Sequence, residues 1–191
     1  MNSENICLFD LDGTLADFDA AMWTELNKIT SPYEDIKTPW DRSKPWLNAR
    51  RKLIMRQPGY WRNLQKFQLG FNVLDIALTL GFENHVLTKG PSASSIAWGE
   101  KVEWCKNHLP KEVKITMTED KGLVYGKVLV DDWPEYVERW LEWRPRGLVI
   151  MPAHEHNEGF NHPNVIRYDG SNLVEVQQAM TYSFSRKAGE D

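Results

Sequence analysis

The sequence predicts an α/β chain built on a doubly wound parallel sheet. Three observations predict it. Short apolar runs bounded by turn residues recur along the chain, at residues 6–9, 85–88, 113–117, 128–130, 148–151 and 165–168. Runs of this length suit strands buried on both faces. Segments with helical apolar spacing lie between them, and that alternation implies right-handed βαβ units. Acids, a threonine and lysines follow several of the runs, at the carboxyl ends where such sheets place their ligands.

The elements follow in chain order. Residues 6–9 (ICLF) carry no polar side chain and make the first strand. Residues 17–69 then break the rhythm with a polar, aromatic and proline-containing stretch. At about 50 residues it is too long for an ordinary strand–helix loop, and its aromatic content argues against disorder. It reads as a small helical insertion (17–69) in a core formed by residues 1–16 and 70–191. Phe71, Leu74 and Leu78 share a helical face, and the strand at residues 85–88 (HVLT) follows. Trp98, Val102, Cys105 and Leu109 make the next face, stopped by Pro110. After the strands at residues 113–117 and 128–130 comes a helix with Val137, Trp140 and Leu141 inward. The strands at residues 148–151 and 165–168 precede a last helix carrying Leu173, Val176 and Met180. Residues 183–191 are polar and read as a frayed tail. Trp98, Trp104, Trp140 and Trp143 fall on core helices and are expected to pack there.

Bulk properties narrow the function. A net charge of −4 and a pI of about 5.8 do not suit a nucleic-acid platform. No apolar run reaches the roughly 18 residues of a membrane span, and the first residues, MNSEN, lack the pattern of a secretory signal. A cytoplasmic protein is expected. Its two cysteines, Cys7 and Cys105, are read as free, buried thiols.

The strand ends carry the chemistry. The first run leads into Asp10-Leu11-Asp12-Gly13-Thr14, the second ends at Thr88-Lys89, the third is followed by Thr118 to Gly122 with Lys121, and the fourth by Asp131-Asp132. Converging carboxylates cannot all ionise at neutral pH without a cation among them. Hard oxygen ligands suit Mg²⁺, which commonly shares its shell with a phosphate. A carboxylate beside a lysine can attack phosphorus, and a second carboxylate can move the proton. Of the lysines near the third and fourth strands, Lys114 and Lys127 begin strands and face the wrong edge, whereas Lys121 lies past a strand end. Lys89 is a rival phosphate contact. Asp132 has a second reading, as N-cap of the helix starting near Pro134.

"DLDGTLAD" resembles motif I of the haloacid dehalogenase superfamily of phosphohydrolases. Thr88 resembles its second motif, Lys121 its third and Asp131-Asp132 its fourth. The resemblance implies a Rossmann-like core with a helical cap between motifs I and II. It implies Asp10 as nucleophile, Asp12 as general acid and base, and Thr88 and Lys121 as phosphate contacts. Mg²⁺ would be held by Asp10, the backbone carbonyl of Asp12, Asp131 and Asp132. "DLDGTLADFDAAM", "PGYWRNLQKF" and "TEDKGLVYGKVLVDDW" are similar to segments of the 5'(3')-deoxyribonucleotidases, so the expected substrate is a nucleoside monophosphate. Phe18, Tyr60 and Trp61 stand at positions where aromatic cap residues cradle the base, Trp40 and Trp46 are looser candidates, and Lys89 is counted with the substrate contacts. A homodimer is compatible with this reading; a nucleic-acid polymer or a membrane is not an expected partner. Three alternatives stay open: a phosphatase for another small ester such as a sugar phosphate, a polynucleotide end phosphatase, and a non-catalytic nucleotide-binding module. "HEHNEGFNH" (His154, His156, His162) is read first as a solvated loop, with zinc binding or a place at the site rim as alternatives. The charges of "RSKPWLNARRK" (Arg42, Lys44, Arg50, Arg51, Lys52) read as a solvated helix face or as a steering field for an anion.

Overall fold

The first strand, β1 (Ile6–Phe9), is apolar throughout because both of its neighbours and both faces bury it: Cys7, Leu8 and Phe9 have no exposed surface. The structure, a computed structural model, describes residues 5–41, 43–91 and 94–187. The expected role of Arg42 and the outermost part of the tail lie outside the described residues. β1 is joined by β2 (Glu83–Thr88), β3 (Lys114–Met117), β4 (Val128–Val130), β5 (Leu148–Pro152) and β6 (Val165–Tyr168). The six strands form one sheet in the order β3-β2-β1-β4-β5-β6, with every pairing parallel. Strand order reverses at β1/β4, where Phe9 pairs with Val130, so Asp10 and Asp131 leave the sheet side by side.

Core helices are α3 (Gln68–Leu80), α4 (Ser95–His108), α5 (Pro134–Glu142) and α6 (Leu173–Ser185). Alternate residues of the strands serve opposite faces. Cys7, Phe9, Val86, Val128 and Ile150 pack with residues of α3, α4 and α6. Leu8, Leu87, Leu129 and Val149 pack with Val137, Trp140 and Leu141 of α5. Each such buried side chain stabilises the fold by roughly 1.5–3 kcal/mol.

The insertion holds α1 (Phe18–Ile29) and α2 (Pro45–Met55). Asp17 caps α1 by accepting from Ala20 N, and proline opens α2. Met22, Leu26, Leu47 and Ile54 are buried in the apolar cluster that these helices share with the core. Entry and exit run side by side as a neck, with Asp17 N bonded to Gln65 O and Phe67 N to Leu15 O, both at 2.8 Å.

Several expectations shift. β2 begins two residues earlier, because Asn84 is buried and polar and breaks the apolar run. α3 buries Gly70, Val73, Leu74 and Ala77 and leaves Leu78 at the surface. α4 is rotated: it buries Ala97, Glu100, Lys101, Trp104 and Cys105, so that of the expected stripe Cys105 is buried and Leu109 packs on the core while Trp98 and Val102 are only half-buried. Trp98 instead covers Gly90, where an added Cβ would lie 2.1 Å from its ring. Trp143 is exposed beneath the Arg139 guanidinium. The tail is helical through Ser185, and Ser183 is buried.

Candidate active site

The loop after β1 is a tight turn in which Leu15 N and Ala16 N both bond Leu11 O, at 2.9 and 2.7 Å. Gly13 is required twice over. Its φ is +80°, and a Cβ there would lie 2.5 Å from Asp132 Oδ2. The turn therefore carries Asp10 and Asp12 close against the end of β4.

Asp10, Asp131 and Asp132 are buried, and one oxygen of each falls within a common 4.8 Å. Lys121 Nζ reaches Asp10 Oδ1 and Asp131 Oδ2, both at 2.7 Å. It is presented by a single 3₁₀ turn, Lys121–Leu123, which Asp120 caps through Gly122 N at 2.9 Å. Arg139 of α5 holds that aspartate at 3.1 Å. Burial pushes the Asp10 carboxyl well above the usual carboxylate range against the pull of Lys121, and burial raises Asp131 too. Burial opposes the Lys121 ammonium, but Asp10 and Asp131 override it and hold its pKa above the ordinary value. Burial also works against the Asp132 carboxylate, yet the His156 hydrogen bond and the neighbouring positive groups keep it below its usual value. Three carboxylates around one ammonium leave an excess of negative charge on hard oxygen donors, a set that fits a divalent cation.

The second reading of Asp132, as N-cap of α5, does not hold. Asp131 Oδ1 accepts from Trp133 N at 3.0 Å, whereas Asp132 accepts from Thr14 Oγ1 at 3.1 Å.

Asp12 turns away from this cluster. Its Oδ2 accepts from Lys101 Nζ at 2.5 Å, and its Oδ1 is buried with no partner among the described residues. Lys101, on α4, also donates to Thr88 Oγ1 at 3.2 Å and to Lys89 O at 2.8 Å, and it lies over the Trp61 ring at 4.6 Å. Only 1% of this lysine is exposed, so it is a structural part of the site. Its neighbour Glu100 accepts from Gly59 N and Trp61 N, which fixes the PGYW turn of the insertion to α4. Sequence reasoning missed both residues. The available signal was a Glu-Lys pair inside the 97, 100, 101, 104, 105 stripe, where a helix packed on a sheet ordinarily carries apolar residues.

Beside these groups lies a cavity of about 680 Å³. Asp10, Asp12, Lys121 and Lys101 line it, together with the aromatic side chains of Phe18, Trp40, Trp61 and Trp133. Phe18 stacks between Trp40 and Trp61, with ring centroids 5.7 and 5.4 Å away. Lys89 reaches the wall, over the Tyr136 ring at 5.6 Å. Tyr60 is not on the wall; it packs edge-on behind Phe18 and Trp61. Thr88 is fully buried behind Lys101. Trp46 stands at the surface beneath Arg50. The basic stretch is mostly committed elsewhere: Arg50 pairs with Glu34, Lys44 with Asp41, and Arg51 bonds Pro39 O and Asn48, which leaves Lys52 on the cavity wall.

In the histidine loop Glu155, Glu158, Gly159 and Asn161 are exposed, but the His154 and His156 side chains are not solvated. His154 Nε2 bonds Gly13 O at 2.6 Å, and His156 Nε2 lies 3.0 Å from Asp132 Oδ2. Asn157 Nδ2 donates to Asp132 O at 3.0 Å. His162 stays apart and accepts from Asn164 N. These two histidines depart from the solvated reading because they pack against Gly13 and Asp132, contacts that no local pattern reveals. Among the described residues, no helix is long and apolar enough to cross a membrane.

Solved structures share the fold. A haloacid dehalogenase-like hydrolase from Xanthomonas campestris superposes with a TM-score of 0.55 at 12% identity, covering 94% of this chain and 97% of that one. An L-2-haloacid dehalogenase gives 0.54 at 12% identity, over 94% of this chain and 100% of the other. The fold is that of haloacid dehalogenase-like hydrolases, and the relatives define a phosphoric monoester hydrolase. Residues 4–172 match the model described as 5' nucleotidase, deoxy (pyrimidine), cytosolic type C protein, and the chain belongs to that family of nucleotide phosphatases. A Bordetella bronchiseptica protein, provisionally named a 5'(3')-deoxyribonucleotidase, is 29% identical over 138 residues, 68% of this chain and 74% of that protein. Its Bordetella pertussis counterpart, with the same provisional name, is 28% identical over the same lengths.

Proposed function

We propose that the chain is a Mg²⁺-dependent phosphomonoesterase that hydrolyses (deoxy)ribonucleoside monophosphates to nucleoside and phosphate. One observation carries the reading: a single cavity is lined both by charged groups, Asp10, Asp12, Lys101 and Lys121, and by aromatic rings, Phe18, Trp40 and Trp61. The first suits a phosphate and the second a nucleobase, for which stacking contributes roughly 1–3 kcal/mol.

Asp10 attacks phosphorus, and the bond to the nucleoside oxygen breaks as Asp12 donates a proton to that oxygen. Asp12 then takes a proton from water, which hydrolyses the aspartyl-phosphate. The buried Oδ1 of Asp12, without a hydrogen-bond partner among the described residues, supports this assignment. Lys121 and Lys101 offset charge on the phosphoryl oxygens, and Thr88 helps to orient Lys101. Asp10, Asp131, Asp132 and the Asp12 carbonyl would hold the cation, which supplies charge neutralisation at the transferring phosphoryl group. Residues 17–69 act as a cap, joined through the neck at Ala16 and Lys66 and closing over the substrate.

The test is phosphate release from deoxy- and ribonucleoside 5'- and 3'-monophosphates, sugar phosphates and an aryl phosphate, each with Mg²⁺ and with a chelator. Release that needs Mg²⁺, vanishes in Asp10→Asn and is fastest with a nucleotide is expected. Fastest release from a sugar phosphate would overturn the substrate assignment, and Mg²⁺-independent release would overturn the mechanism.

A further inference from the structure

Three side chains outside the phosphate chemistry converge beside it. Asp19 comes from the first turn of α1, and His154 and His156 from the loop after β5. One ligand atom from each lies within 4.8 Å of the others.

The hydrogen bonds around them settle where the ring protons are. His154 Nε2 faces the carbonyl of Gly13 at 2.6 Å, and a carbonyl only accepts, so Nε2 carries hydrogen. His156 Nε2 faces two acceptors of Asp132, its carbonyl at 3.1 Å and Oδ2 at 3.0 Å, so the same holds there. Both Nδ1 atoms are then available as lone-pair donors. Each lies toward one acceptor, Asp19 Oδ2, at 3.3 Å from His154 and 4.0 Å from His156. The remaining oxygen of Asp19 is occupied by the Trp40 indole N–H at 3.1 Å. A second proton on His154 would satisfy one contact with Asp19. It would leave His156 Nδ1, which is buried and has no hydrogen-bond partner among the described residues, still bare.

One cation bonded to all three atoms satisfies them together. Two imidazole nitrogens and a carboxylate oxygen suit Zn²⁺ and its neighbours rather than Mg²⁺. The far side of every ligand is already oriented by a carbonyl, a carboxylate or an indole, the outer-shell support that metal-binding histidines and carboxylates ordinarily have. We propose that Asp19, His154 and His156 form a binding site for one divalent transition cation of the Zn²⁺ class, which ties α1 to the loop after β5. The ion would pin the insertion to the sheet beside the cavity.

The experiment titrates the full chain with Zn²⁺ against a chromophoric chelator, in excess Mg²⁺ so that hard oxygen sites are filled. One Zn²⁺ per chain is expected, with binding weakened about 100-fold or more in Asp19→Asn and His154→Gln. Asp19→Asn keeps an oxygen for Trp40 and is the variant chosen to fold normally. Zn²⁺ should raise the thermal midpoint of the wild type and leave that of Asp19→Asn unmoved. Co²⁺ in place of Zn²⁺ should give the intense visible bands of a low-coordinate nitrogen-containing site. No stoichiometric Zn²⁺ in excess Mg²⁺ would overturn the proposal. So would wild-type affinity in Asp19→Asn, or a weak octahedral Co²⁺ spectrum.

Discussion

Replacing Lys101 by methionine removes the cation that faces Asp12 and should cost the protein both stability and rate. The ammonium is 2.5 Å from Asp12 Oδ2, with side-chain exposures of 2% and 24%. At an effective dielectric constant near 20, two unit charges at that separation attract by about 7 kcal/mol. Removing the ammonium from water takes back several kcal/mol, and the open side of Asp12 screens part of the rest. A net coupling of about 2–3 kcal/mol remains. Lys101→Met should lower the unfolding free energy by about 2–4 kcal/mol, since Thr88 Oγ1 and Lys89 O lose their donor as well. Asp12→Asn still offers Lys101 an oxygen and should cost less. The double variant should therefore be more stable than the sum of the two losses by about 2–3 kcal/mol. Urea unfolding of the four proteins measures the cycle, and phosphate release measures the rate, which should fall about 100-fold or more in Lys101→Met. Additivity within about 0.5 kcal/mol would refute the coupling. An unchanged rate would remove Lys101 from the phosphate site.

Further outcomes follow from the same contacts. Gly13→Ala places a Cβ 2.5 Å from Asp132 Oδ2 at a φ of +80°. It should cost about 2–4 kcal/mol in urea unfolding and weaken Mg²⁺ binding measured by calorimetry. Burial pushes the Cys105 thiol up to about 12, and burial raises Cys7 as well. Neither should react with a disulfide reagent at pH 8 until the chain is unfolded. The hydrogen bonds from Lys114 and His85 hold Glu83 down at about 2, below its ordinary value near 4.3. A depressed folded pKa stabilises above the unfolded value and loses that contribution as pH falls toward 2. Carbon-detected NMR should find Glu83 titrating near pH 2, and Glu83→Gln should flatten the acid limb of the stability curve.

The sheet was legible because a buried parallel strand needs only a short apolar run, and such runs stand out against polar surroundings. Where a polar side chain enters that run, the boundary moves, as with Asn84 in β2. Helix facing was less legible. Trp98, Val102 and Cys105 share a helical spacing, yet α4 turns Glu100 and Lys101 inward because each has partners that no local pattern contains. Tyr60 and Trp61 are adjacent and both buried, but only Trp61 reaches the cavity, a distinction set by the Glu100 contact with the PGYW turn and by the stacking on Phe18.

The acids of the site could be read and their cations largely could not, for one physical reason. Asp10, Asp12, Asp131 and Asp132 directly follow β1 and β4, so strand assignment alone brings them to one edge. Their partners arrive from three elements whose facing depends on tertiary packing. Lys101 comes from α4 to Asp12. Lys121 comes from the turn after β3 to Asp10 and Asp131. His156 comes from the loop after β5 to Asp132. Like charges crowded at a strand end are therefore tolerated because every carboxylate meets a positive or proton-donating group, Asp10 and Asp131 sharing Lys121. Lys121 was found because it lies just past a strand end, where sequence position and spatial position coincide. Lys101 and His156 lie where they do not, and for them the distance to a carboxylate, rather than any spacing in the chain, is the evidence.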